Sequence, residues 1–189
     1  MNEQELREEN NNLREKIKRV ERKNRKLEKL SQIDFLTNLY NRRAFSQFFG
    51  KACEQVRIDV DRRIQKSRFC LALFDIDNFE VFNNEFGHPF GDKILKSVAL
   101  FIRESVRDID MVARLGGDEF AILLKNTDLN QSQKIIESIF EKIENKFSVR
   151  FSVGIIQSNQ KYSPKEVFKK ADDALLKAKK QGKNQIVIS

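Results

Sequence analysis

Two apolar runs that meet at a glycine pair constrain this chain more than any other stretch. Met111, Val112, Ala113 and Leu115 lead into Gly116 and Gly117, and Phe120 to Leu124 lead out of Asp118 and Glu119. Glycine accepts the positive φ that a tight turn demands, so the stretch is predicted to be a β-hairpin with two acids at its tip. Neighbouring carboxylates repel unless a cation sits between them, and a hard divalent ion with oxygen ligands is the usual solution. The glycines also remove the Cβ atoms that would keep a ligand from the main chain. An ordinary exposed turn with an acidic tip accounts for the same residues equally well, so a second element has to decide.

That element is the continuous apolar run Phe69 to Phe74, long enough for a buried strand, which ends in Asp75-Ile76-Asp77. Acids at the end of a buried strand are costly unless they are solvated, paired or liganded. Amide and acid side chains follow, from Asn78 through Asn83 and Asn84 to Asp92. Together with the hairpin, the pattern Asp75-Ile76-Asp77-x-Phe79, Asn83, Gly87-His88, Gly91-Asp92 and Gly116-Gly117-Asp118-Glu119-Phe120 resembles the GGDEF family of diguanylate cyclases. Upstream, Asp34-Phe35-Leu36-Thr37-Asn38-Leu39-Tyr40-Asn41-Arg42-Arg43 is similar to the family's leading motif. Ala171-Asp172-x-Ala174-Leu175 through Ala178-Lys179, Gly182 and Asn184 is similar to its closing helix. The match runs from about Asp34 to the C-terminus.

The resemblance implies an enzyme that joins two GTP molecules into cyclic di-GMP and releases two pyrophosphates. It implies Mg²⁺ or Mn²⁺ held by Asp75, Asp118 and the carbonyl of Ile76, with Glu119 as the catalytic base or a second ligand, a role that Asp118 could share. By the same resemblance Phe79, Asn83 and Asp92 contact the substrate, the last two as guanine readers. A carboxylate accepts from guanine N1 and N2, and an amide meets O6, N7 or N2. His88 stands beside them as a substrate contact or a turn residue. Lys179 and Lys183 are expected to meet the β- and γ-phosphates from one face of the last helix, being four positions apart. Arg107-Asp108-Ile109-Asp110 fits the family's R-x-x-D inhibitory site, where Arg107 and Asp110 would hold an intercalated dimer of the product. Glu80 where the family usually has Lys, Asn84 for Asp, Leu176 for Tyr and Lys183 for Arg depart from the pattern. Lys183 keeps the charge but loses bidentate phosphate geometry. A receptor for cyclic di-GMP with a silent active site is the alternative, and a coiled-coil scaffold without nucleotide affinity is a third.

The start of the chain reads differently. Leu6, Leu13, Val20 and Leu27 recur every seven positions, and Asn10, Ile17 and Asn24 fill the companion register. This predicts a short coiled coil whose Asn residues favour parallel two-stranded pairing, with a single helix docked on its own domain as the competing reading. Residues 1–33 are therefore expected to be a homodimerising signalling helix running to about Ser31, and residues 34–189 the catalytic domain. An upstream sensor would act through the helix.

The remaining pattern predicts a helix from Asn41 to about Gln65, a strand from Arg68 to Asp75, and helices over 78–85 and 89–107. After the hairpin come a helix over 130–145, a strand over 148–157, a helix opened by the capping box Ser163 to Glu166, and a strand over 185–188. This order suggests a split βαβ arrangement. The fold class is α+β, a central, mostly antiparallel sheet with surrounding helices. The resemblance adds that it is palm-like and nucleotidyl-cyclase-like, preceded by the long coiled-coil helix.

Composition excludes several classes. The net charge of +8 comes from 36 basic and 28 acidic residues. Basic and acidic side chains alternate along helices, which argues for solvated faces against nucleic acid. No apolar run approaches bilayer length and the polar start has no signal-peptide character, so the chain is expected to be soluble and cytoplasmic. Cys53 and Cys70 lack metal or disulfide spacing.

Overall fold

The structure, a computed structural model, describes residues 3–30, 32–61 and 68–189. Contacts divide the chain into Met1–Gln32 and Ile33–Ser189. The first unit is one helix, α1 (Glu3–Leu30), on which Leu13, Ile17, Val20 and Leu27 are each at least half exposed. The side chains of Leu6 and Asn24, and the expected helix end at Ser31, fall outside the described residues.

The second unit is built on a six-stranded sheet in the order β1-β3-β4-β2-β5-β6. Its strands are β1 (Tyr40–Asn41), β2 (Phe69–Ile76), β3 (Met111–Gly116), β4 (Glu119–Lys125), β5 (Phe151–Gln157) and β6 (Gln185–Ile188). The pairs of β2 with β4, β2 with β5 and β3 with β4 are antiparallel, while the two edge strands β1 and β6 pair in parallel. The expected sheet is there, with parallel edges added. The leading motif from Asp34 to Arg43 contains β1, whose two residues are too short to leave a period in the sequence.

Helices cover both faces, which is why β2 reads as unbroken apolar residues. Helices α2 (Arg42–Asp61) and α6 (Pro164–Lys180) pack on one face, where Phe69, Leu71 and Leu73 meet Phe45, Phe49, Ala171 and Leu175. Helices α4 (His88–Ser105) and α5 (Leu129–Phe147) pack on the other, where Cys70, Ala72, Phe74 and Ile76 meet Leu95, Ile102, Ile136 and Ile139. Helix α3 (Phe79–Phe86) joins β2 to α4. The predicted end of α2 near Gln65 lies outside the described residues. Helix α5 runs on to Phe147, so β5 starts three residues later than the pattern placed it. Both cysteines are buried and free. Among the described residues no helix is long and apolar enough to cross a membrane.

Candidate active site

The alternation of β2 decides where its terminal acid points. Side chains two apart share a face, so Asp75 follows Leu71 and Leu73 onto the face covered by α2 and α6. There it meets Lys179 of α6, whose Nζ lies 2.6 Å from Asp75 Oδ2. Register places Asp75 opposite Glu119 on β4 and opposite Ser152 on β5. The hairpin turn falls on Gly117 and Asp118, with Gly117 at φ 48°, a conformation that side chains with a Cβ rarely adopt. Asp118 is thereby placed beside the end of β2, and its carbonyl accepts a hydrogen bond from the Ile76 amide at 3.4 Å.

Charge at this corner is unbalanced. Burial pushes the Asp75 carboxyl above the usual carboxylate range, the Lys179 hydrogen bond pulls it back, and the charges of Asp118 and Asp77 push it up again. Asp118 is also pushed up by burial first, with Glu119 adding to the effect while Lys179 and Arg114 oppose it. Asp77 is taken: it accepts from Ser152 Oγ at 2.7 Å and from the Asn184 amide at 2.8 Å. Among the described residues no three Asp, Glu, His or Cys side chains form a ready metal cluster. The donor set of Asp75, which is buried, and Asp118, which is half-buried, both raised first by burial and then by like charge, fits a hard divalent cation, whose arrival would require Lys179 to release Asp75.

Two arginines fasten the hairpin from outside. Arg114 donates from Nε and Nη2 to the Gly117 carbonyl at 2.9 and 2.7 Å, and from Nη1 to Asp34 at 3.2 Å. Arg42, at the start of α2, donates from Nε to the Leu115 carbonyl at 2.6 Å and from Nη2 to Glu119 at 3.0 Å. Arg42 stands in the leading motif of the sequence, and neither arginine had a role assigned there. No local signal reports a contact with a residue seventy positions away.

The expected base-reading residues lie on the α3–α4 hairpin. Gly91 allows α3 and α4 to approach so closely that a Cβ there would collide with the Asn83 carboxamide oxygen. That oxygen is buried without a hydrogen-bond partner. His88 is exposed at the start of α4, Asp92 is exposed one turn further on, and Phe79 is buried at the start of α3. Lys179 and Lys183 do not share a helix face as their spacing predicted. Helix α6 ends at Lys180, and Lys183 follows Gly182 at φ 64°, where its Nζ donates to Asn78 Oδ1 at 2.5 Å. A cleft of about 320 Å³ at the end of β2 is lined by Asn78, Ser148, Lys183 and Asn184, all left-handed, together with Phe79 and Asp77. Non-glycine residues held in that conformation store strain and cluster at functional sites.

The R-x-x-D corner is a separate feature. Asp110 Oδ2 accepts from the Arg107 amide and Nε, and Oδ1 accepts from Arg107 Nη2 and the Lys125 amide, all within 3.2 Å. The Asp110 side chain is 1% exposed against 52% for Arg107. Arg107 also donates to the Lys125 carbonyl and Thr127 Oγ1. A cavity of about 680 Å³ opens beside Arg107, lined also by Thr127, Gln131 and Lys134.

Comparison with known proteins gives this geometry a context. The sequence model of the family described as "Diguanylate cyclase, GGDEF domain" matches residues 31–185. The chain is 33% identical over 166 residues to the probable diguanylate cyclase DgcT of Escherichia coli, covering 82% of this chain and 35% of that protein. It is 34% identical over 165 residues to the diguanylate cyclase DgcP of Pseudomonas aeruginosa, covering 82% of this chain and 24% of the relative. The chain thus spans about a third or less of these two proteins. The crystal structure of the coiled coil and GGDEF domain of DgcB from Caulobacter crescentus, in complex with c-di-GMP, superposes with a TM-score of 0.78. It has 25% identity, over 97% of this chain and 99% of that one.

Proposed function

The chain belongs to the GGDEF family, and from that premise we propose that it is a diguanylate cyclase, condensing two GTP into cyclic di-GMP with release of two pyrophosphates. The observation that carries the reading is the meeting of Asp75 and Asp118, distant in sequence, at one half-buried corner with Lys179 between strand end and helix.

A bound Mg²⁺ or Mn²⁺ would neutralise triphosphate charge and favour ionisation of the attacking 3′-hydroxyl. Asp75, Asp118 and the Ile76 carbonyl are the residues that would hold it. Lys179, released from Asp75, turns to the phosphates, and Lys183 meets them from the turn after α6. Asn83 and Asp92 select guanine by its Watson–Crick edge, and the unsatisfied oxygen of Asn83 supports a residue kept for a ligand. Phe79 and His88 are the further contacts to the substrate. Glu119 takes the proton of the 3′-hydroxyl, or shares that work with Asp118.

The product is two-fold symmetric, so two sites must face each other with each 3′-hydroxyl aimed at the partner's α-phosphate. Pairing of two α1 helices raises the effective concentration of the second site, and the exposed stripe of Leu13, Ile17, Val20 and Leu27 supports it. An upstream sensor would act on that pairing. Cyclic di-GMP returning to the cavity beside Arg107 restrains the domain. Because Asp110 already takes four donors, Arg107 offers its outer edge first.

Incubation with GTP and Mg²⁺ or Mn²⁺, followed by chromatography, tests the reading. Accumulation of cyclic di-GMP and pyrophosphate is expected. Unchanged GTP alongside tight binding of cyclic di-GMP would replace the enzyme with a receptor.

A further inference from the structure

Helix α6 and strand β6 are both committed to β5, which leaves the chain little room between them. A Cβ at Gly154 of β5 would collide with the Ala171 carbonyl and the Leu175 amide of α6, and β6 pairs with β5 from Ser152 opposite Gln185 to Ile155 opposite Ile188. Residues 181–184 must reverse the direction. They do so with three consecutive positive φ angles, Gly182 at 115°, Lys183 at 64° and Asn184 at 44°. Glycine takes its angle freely, whereas Lys183 and Asn184 are strained and keep theirs because the surroundings hold them.

Two holds act on this turn. From α6, the Ala178 carbonyl accepts from the Lys183 amide at 3.1 Å and from Gln185 Nε2 at 3.0 Å. From across the sheet, Asp77 Oδ2 accepts from the Asn184 amide at 2.8 Å while Oδ1 accepts from the buried Ser152 hydroxyl at 2.7 Å. Asp77 is itself fixed, since its amide donates to the Arg150 carbonyl at 2.9 Å. One carboxylate thus joins the end of β2 and the start of β5 to the start of β6. Lys183, one residue before the held amide, extends from the turn to Asn78 Oδ1 at the entrance of α3. We propose that Asp77 is a positioning residue, whose carboxylate holds the strained turn and so aims Lys183 at the end of β2. Its spacing from Asp75 would suit a further ion ligand. Both of its oxygens are instead engaged by neutral donors of the chain, and its effect on the substrate passes through Lys183.

The substrate arm of the test rests on the cyclase reading, in which Lys183 meets the outer phosphates; the hold on the turn does not. Hydrogen exchange of the Asn184 amide, followed by NMR, is expected to be about tenfold faster in Asp77→Ala than in the unmodified chain. Asp77→Asn should stay within about threefold, because a carboxamide can accept from Asn184 with its oxygen and donate to Ser152 Oγ with its nitrogen. In calorimetric titration with 3′-deoxy-GTP and Mg²⁺, Asp77→Ala is expected to bind about tenfold more weakly, with affinity for GMP, which lacks the outer phosphates, within about twofold. Asp77→Asn should recover most of the loss, and in the Lys183→Ala background Asp77→Ala should cost less than about twofold further. Unchanged exchange at Asn184 in Asp77→Ala, or a loss that adds in full to that of Lys183→Ala, overturns the proposal. So does an Asp77→Asn variant as weak as Asp77→Ala with lowered Mg²⁺ affinity, which would make Asp77 an ion ligand. Absence of 3′-deoxy-GTP binding by the unmodified chain would count against the cyclase reading, while the exchange measurement still decides whether Asp77 holds the turn.

Discussion

Two aspartates of this domain occupy opposite electrostatic conditions within one sheet. Asp118, at the turn between β3 and β4, is half-buried among Asp75 and Glu119, with its carboxyl pushed up by burial and like charge. Asp110, at the other end of β3, is more deeply buried yet takes four hydrogen bonds from Arg107 and Lys125. Burial alone therefore does not distinguish a working acid from a structural one. The difference is whether the chain supplies the partners: at the β3 start it does, and at the hairpin tip like charges meet with only Lys179 and Arg114 to oppose them.

The largest effect that can break this contrast is expected for Asp118→Asn. Turnover of GTP should fall about a hundredfold or more, because one of the two carboxylates proposed to hold the ion is gone. Stability should move the other way. A carboxyl raised in the folded state binds more protons there than in the unfolded chain, so it costs stability as pH rises through the window between the ordinary and the raised value. Above that window the cost is constant, and below it the cost is absent. Asp118→Asn should accordingly melt higher than the unmodified chain at neutral pH, and the gain should shrink in acid. A variant that loses turnover and also melts lower at neutral pH would remove Asp118 from the class of strained acids.

Asp110→Ala should do the reverse. Deleting the carboxylate strands the amides of Arg107 and Lys125, and a loss of about 3 kcal/mol in urea unfolding is expected. An unfolding free energy unchanged by the substitution would show that water replaces Asp110 without cost.

The two corners also differ in how far the sequence revealed them. The hairpin was legible because turn chemistry is local: Gly117 with its positive φ stands next to the acids it presents. The end of β2 was legible for a similar reason, an apolar run stopping at Asp75. Contacts made through the sheet were not, since neither Arg42 with Glu119 nor Lys179 with Asp75 leaves any mark on neighbouring residues. Lys183 was misplaced although a signal existed. Gly182 lies two residues beyond the end of α6, the position where helices stop, and i to i+4 spacing has no meaning past it. At α5 the pattern Asp128-x-x-Gln131 is a capping box as plain as the one recognised at Ser163, and reading it would have moved the predicted start to Leu129.

A smaller effect sharpens the hairpin side of the contrast. Arg114 holds the Gly117 carbonyl with two donors and is itself held by Asp34, at side-chain exposures of 12% and 17%. The Asp34 carboxyl is lowered: burial pushes it up, but hydrogen bonds from Thr37 and Arg114 outweigh that. Asp34→Asn should keep the Thr37 contact in part, loosen Arg114, reduce kcat about fivefold to tenfold, and lower the melting temperature at neutral pH by an amount that shrinks in acid. Because the folded value is depressed, the stabilisation Asp34 contributes is present above the ordinary carboxylate range and fades as pH falls through the lowered one. An Asp34→Asn enzyme with unaltered kcat would show that the tip keeps its geometry without this anchor.

The smallest expected effect belongs to an exposed helix cap whose only partner beyond its own turn, among the described residues, is Arg68 at 3.8 Å. Asp128 caps α5, accepting from the Gln131 amide at 2.8 Å while the Gln131 side chain reaches back to the Asp128 amide at 3.3 Å. Both bonds are exposed, so water replaces them when they are cut, and Asp128→Ala should cost about 1 kcal/mol in urea unfolding with GTP turnover unchanged. Set beside Asp110→Ala, it isolates what burial adds to a carboxylate that the chain itself has paired. Equal losses at the two positions would mean that the donors around Asp110 are rehydrated as readily as those of a surface cap, and the distinction between the two ends of β3 would rest on charge conflict alone.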